Sequence, residues 1–306
     1  MARQRHLSQL LEKEITSKFE YFTELWAGYD QEGNTESPHR QRTTVNRLLG
    51  YAQFLAMPLD KADPHARPLR TLKEWQKHIG PIRDTDVLRE WTRKCAKAAG
   101  DDARPAAEAL ETILLDRRNR LLQQVRADAR GILGAETRVA LHLARRDFQR
   151  ALARLRAQGA HFNERAALHS VAAPWLQYID LLRTDQSDHL LHSFRVKNKR
   201  LRFVLELIAE EETARQSERA PLLRDRANTA ADLHSTLGNL HDLSVLKDQL
   251  RLQRAHWSRT APNLSHSADA LEAGRCKLEA KQFSQWFLLW PTIEAPGFLT
   301  PLLPKP

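Results

Sequence analysis

Cysteine is nearly absent. Cys95 and Cys276 are the only two in 306 residues, too few for a disulfide framework or a CxxC metal site. A reducing cytosol is therefore the expected setting. Val and Ile together supply 16 residues against 47 Leu, and Gly is limited to 11. Branching at Cβ stiffens a side chain in a helix and suits it to a strand, so this imbalance weighs against a β-rich fold. Long apolar runs are missing too. The stretch from Trp286 to Trp290 is among the longest, far short of the roughly 20 residues a membrane span needs. The N-terminus from Met1 to Leu10 has no apolar segment of the kind a secretory signal requires. No P-loop, GxSxG, GxGxxG or HExxH pattern occurs, and the chain reads as non-enzymatic.

What is abundant is charge. Charged residues make up 28% and hydrophobic residues 42%, the balance of a globular chain. Forty-eight Lys and Arg against 38 Asp and Glu leave a formal charge of +10, with a sequence pI near 9.8. Divided after Ala153, the chain carries 27 basic and 21 acidic residues, then 21 and 17. Neither half is a basic tail. Folding has to concentrate the excess if it is to bind a polyanion.

Apolar residues recur at helical spacing between short Pro, Gly, Asn or Asp interruptions. The pattern predicts helices over 4–29, 38–57, 66–79, 84–99, 103–130, 136–158, 163–182, 187–212, 218–237, 241–258 and 267–290. It also predicts a loop from Asp30 to Pro38 and a non-helical proline-rich tail over 291–306. A weak repeat runs through the chain. His39-x-x-Arg42-x4-Arg47-Leu48 returns as His192-x-x-Arg195-x4-Arg200-Leu201, and Gly80-x-x-Arg83-Asp84-x-x-Val87-Leu88 as Gly238-x-x-His241-Asp242-x-x-Val245-Leu246. Two landmarks in the same order imply a duplicated helical unit. The expectation is an all-α chain of residues 1–306, with a first repeat over 1–153 and a second over 154–290. The two bundles would be related by a pseudo-twofold axis.

The sharpest segment is Leu191 to Glu206. At about 100° per residue, His192, Arg195, Lys199 and Arg202 fall on one side of a helix. Phe194, Leu201, Val204, Leu205 and Ile208 occupy the core-facing side, and Val196, Phe203 and Leu207 form a second apolar strip. Like charges one turn apart repel, whereas Arg forks grip phosphate oxygens in pairs and Lys adds a compact charge. Two readings stand for the stripe: a solvated basic face, or the wall of an anion site. The first copy keeps His39, Arg42 and Arg47 but has Asn46, Leu49 and Gln53 where the second has Lys199, Arg202 and Glu206, so the cationic surface is lopsided.

These segments resemble a known family. HSFRVKNKRLRFVLE is similar to the signature of the CHAD domain, the conserved histidine α-helical domain. HIGPIRDTDVL and TLGNLHDLSVL resemble that family's paired Leu/Ile-Gly-x-x-Arg/Asn-Asp segments. The resemblance spans the chain from the first helix to Trp290. It implies two pseudo-symmetric bundles around a basic central cavity that binds inorganic polyphosphate. Carried over position by position, it implies ligand roles for His39, Arg42, Arg47, Arg83, His192, Arg195, Lys199, Arg200 and Arg202. The family is often fused to a triphosphate-binding β-tunnel (CYTH) domain with an ExExK signature. Glu12-Lys13-Glu14-Ile15-Thr16 stops short of that pattern, so a stand-alone module is expected.

Lys73 and Lys77 share a helical face with Gly80 and are further candidates, or simply solvated. His39 and His192 with Asp84, His241 and Asp242 could in principle ring a metal, but adjacent arginines repel a cation, and no metal or other cofactor is expected. Asp84 and Asp242 follow a glycine and suit a helix N-cap, or the pinning of a cavity arginine. Arg138, His142, Arg145 and Arg146 read as the polar face of an ordinary amphipathic helix, and Trp286, Phe287 and Trp290 as a C-terminal core anchor. The expected function is non-catalytic polyphosphate binding in the cytoplasm, with recruitment to polyphosphate granules. Nucleic acid enters only as a non-specific polyanion, and no membrane partner is expected. The competing readings are a helical nucleic-acid-binding protein and a metal-dependent phosphohydrolase.

Overall fold

The structure, a computed structural model, describes residues 2–27, 37–57, 59, 63–157, 164–295 and 297–299. Among these there are nine α-helices and no strand, as the scarcity of β-branched residues predicts. They are α1 (Ala2–Ala27), α2 (Ser37–Phe54), α3 (Arg67–Ala99), α4 (Arg104–Arg130), α5 (Ile132–Ala157), α6 (Glu164–Leu182), α7 (Asp188–Ala214), α8 (Ala220–Thr260) and α9 (Ser265–Glu294). No helix among the described residues is long and apolar enough to cross a membrane.

Four of the expected helices are in fact two. The periodicity predicts breaks at Gly80 and Gly238, yet α3 and α8 run straight through both. Asp84 and Asp242 therefore lie inside helices and cap nothing. Tertiary burial overrides the local signal. Ile79 and Ile82 are buried on either side of Gly80-Pro81, as are Leu237 and Leu240 around Gly238. The tail expectation also needs correction, since α9 continues through Pro291 to Glu294, and Phe298 and Leu299 are buried. Residues 28–29, 158 and 163 of the expected helices, 30–36 of the expected loop, and 296 and 300–306 of the tail lie outside the described residues. Ser37 and Pro38 already belong to α2.

Where α3 does end, the reason is local. Gly100 has φ +96°, a left-handed conformation that side chains resist, and its N–H closes the last turn on the Ala96 carbonyl at 2.9 Å. The chain then re-enters helix through the short turn Asp101–Ala103.

Contacts divide the chain into two units. One comprises Met1–Arg83, Arg120–Ala167 and Glu206–Leu223. Its core holds Phe19 and Phe22 of α1, Val45 and Leu48 of α2, Leu72 and Trp75 of α3, and Phe148 of α5. Phe19 meets Phe148 edge-on at 5.6 Å, and Trp26 lies 4.7 Å from Trp75. Arg138, His142, Arg145 and Arg146 are exposed on α5 while Ala140, Ala144 and Phe148 are buried, the amphipathic arrangement expected.

The other unit comprises Asp84–Asn119, Leu168–Leu205 and Arg224–Pro306. Leu88, Trp91 and Cys95 of α3 pack with Leu110 and Leu114 of α4, Leu243, Leu246 and Leu250 of α8, and Leu271 of α9. Burial pushes the Cys95 thiol up to about 12. Trp286 is fully buried against Phe194, so it anchors the core as expected, but Phe287 beside it is exposed.

Candidate anion-binding site

The rotation of α7 is set by a buried amide. Asn198 is fully buried. Its Oδ1 accepts from Nε1 of Trp175 on α6 at 3.2 Å, and its Nδ2 donates to the Ala230 carbonyl of α8 at 2.8 Å. A buried amide without partners is costly, so this pair of bonds locks α7 against both neighbours. Phe194, Leu201, Leu205 and Ile208 then face the core with no exposure. The second apolar strip is incomplete, because Leu207 is buried but Val196 is 42% exposed.

The cationic stripe runs beside that lock, on the flank of α7 that also faces α8. Arg195, Lys199 and Arg202 are half-buried, and His192 and Arg200 are exposed. Arg195 lies along the α8 backbone: a Cβ on Gly238 would sit 3.5 Å from its Nε and 3.7 Å from its Nη2. His234, one turn before Gly238, sits among the ladder. Burial and then the charges of Arg195, Lys199 and Arg202 push its imidazole down to about 3. Three cations spaced over eight residues of α7 thus act on a single side chain of α8. His241, one turn after Gly238, has its ring 4.7 Å from His192. Burial, Arg195 and His192 hold His241 below the usual imidazole range, with Asp84 and Asp188 opposing. Both α8 histidines are neutral near pH 7, in a field where charging them would be repelled.

In the other unit, Arg42 Nη1 of α2 donates to the Gly80 carbonyl of α3 at 3.2 Å, and a Cβ on Gly80 would sit 3.5 Å from the same nitrogen. Gln41 is buried and accepts from Trp75 Nε1 at 2.9 Å. Arg47 Nη1 bonds Glu206 Oε2 at 2.8 Å, so its charge is offset within the fold. Arg83 is half-buried and His39 exposed. Lys73 is exposed, and Lys77 is 60% exposed and paired with Glu74 at 3.0 Å.

A family model described as the CHAD domain matches residues 13–251. The chain belongs to the CHAD domain family. No curated protein and no solved structure matches it. The CHAD domain is associated in general with polyphosphate binding.

Within this CHAD chain, the charges of Arg195, Lys199 and Arg202 all act on His234 of α8, and Arg195 packs on Gly238. The structure leaves His192 exposed but touching His241, and Arg200, Lys73 and Lys77 on the surface. Sequence reasoning missed His234 and its counterpart Gln76, whose Nε2 reaches the Arg42 carbonyl at 3.5 Å. A signal was present in both cases: each lies four residues before the repeated glycine, on the glycine's own helical face. Among the described residues, no three His, Cys, Asp or Glu side chains group closely enough to hold a metal ion.

Proposed function

We propose that this CHAD protein binds inorganic polyphosphate without catalysis, in the cytoplasm, and that binding recruits it to polyphosphate granules. The observation that carries the proposal is the convergence of Arg195, Lys199 and Arg202 on the neutral His234. Clustering like charge beside a buried group opposes folding, and a polyanion relieves that cost. Phosphates replace water and counterions along the cations, with Arg gripping oxygens in pairs. Internal duplication and a basic cavity are part of the proposal. The duplication is supported by the Arg–Gly packing that recurs at repeat-equivalent positions, Arg42 on Gly80 and Arg195 on Gly238.

The test is to titrate long-chain polyphosphate and single-stranded DNA into the full chain at several salt concentrations. Polyphosphate should bind more tightly at every salt, with a steep fall of log affinity against log salt. Equal affinity for DNA would favour a general nucleic-acid-type polyanion binder. A flat salt dependence would contradict electrostatic capture altogether.

A further inference from the structure

We infer that His234 and His241 are ligands of the same anion site, and that phosphate captured there brings protons onto these imidazoles, so that binding strengthens as the pH falls. The inference rests on the polyphosphate reading and adds to it a pair of residues and a regulation. His234 and His241 are seven residues apart on α8, two turns along one face. Gly238 lies between them, and the Arg195 guanidinium lies on Gly238. An anion bound to that guanidinium is therefore flanked by both rings.

His234 Nδ1 is buried and has no hydrogen-bond partner among the described residues. A shielded ring nitrogen in that state forfeits the bond it would make in water, and a turn of the ring toward a bound phosphate oxygen regains it. The charged groups facing His234 are Arg195, Lys199 and Arg202 from α7. Those facing His241 are Arg195, His192 and Asp188 from α7, and Asp84 from α3. In the free protein burial and then these cations keep both imidazoles neutral. Phosphate oxygens among the same cations cancel that repulsion and add attraction, so the protonated form becomes favourable. The proton comes from solvent onto a ring nitrogen, and no bond to phosphorus forms or breaks. His241 gains first, because Asp84 and Asp188 already pull in that direction. Linkage then requires affinity to rise as pH falls through the bound-state titration.

Long-chain polyphosphate is a suitable probe, since its internal phosphates are fully ionised near neutrality and exchange no protons themselves. Calorimetric titration at about pH 6.5, near the ordinary imidazole value, in two buffers of different ionisation enthalpy reads the protons taken up. The full chain should show net uptake and bind several-fold more tightly at about pH 6 than at about pH 8. The H234N/H241N variant should bind more weakly, and should lose both the uptake and the difference in affinity between the two pH values. Binding without uptake, or equal uptake by the variant, overturns the inference and leaves the polyphosphate reading standing. Absence of binding at either pH defeats that reading and this inference together. Imidazole NMR titration of the unmodified chain needs no variant: polyphosphate should move two histidine titrations to higher pH, and unmoved titrations overturn the inference.

Discussion

His234 is held neutral by its surroundings, and that has a consequence for the free protein. Its folded value is near 3, against an ordinary imidazole value of about 6.5 in the unfolded chain. Between those limits the unfolded chain binds a proton that the folded chain does not. The contribution of this group to stability is therefore constant above about pH 6.5 and lost as the pH falls toward about 3, at up to roughly 1.4 kcal/mol per unit. Urea unfolding at a series of pH values should show this acid limb, and His234→Gln should flatten it. An unchanged limb in the variant would mean that the imidazole is not buried among cations. Glu206 makes the opposite kind of prediction. It neutralises Arg47 at 2.8 Å, in a pair that is roughly 30% exposed on both sides (31% and 27%). Such pairs contribute up to about 1 kcal/mol. Glu206→Gln should thus raise polyphosphate affinity by no more than about fivefold. Weaker binding by the variant, measured at fixed salt, would remove Arg47 from the ligand set.

At the scale of elements, helical spacing alone locates α4, α6 and α7 closely, because their apolar faces are long and uninterrupted. It fails at Gly80-Pro81 and Gly238, where local propensity argues for a break and the burial of Ile79, Ile82, Leu237 and Leu240 prevails. The stripe of Arg195, Lys199 and Arg202 is legible for the same reason that the helix is, since periodicity fixes which residues share a face. His234 is not legible in that way, because its environment comes from another helix. Glycines show the same division between local and tertiary causes. A Cβ on Gly274 of α9 would lie 2.1 Å from the Cys95 carbonyl of α3, a backbone atom that cannot yield. Gly274→Ala should therefore cost about 3 kcal/mol in denaturant unfolding. Gly238→Ala meets Arg195 only at ordinary contact distance and should change stability by no more than about 1 kcal/mol, in the direction of a firmer helix. Equal losses from the two substitutions would contradict the close approach of α9 to α3.

For the whole molecule, the net charge of +10 draws any polyanion and does not by itself choose a site. Other clusters of Arg are committed to the fold. Arg275, 2% exposed, bonds both Glu272 and Glu279, and Arg118 holds Asp86 at 2.6 Å. In the α7 ladder the charges of three cations act together on one uncharged side chain, His234. The most direct test is therefore long-chain polyphosphate binding, at one fixed salt, by the native chain, R195E/R202E and R42E, with circular dichroism as the check on folding. The account predicts three helical proteins, of which R195E/R202E has lost binding through both missing attraction and added repulsion, while R42E is weakened less. Undiminished binding by a folded R195E/R202E protein would contradict it.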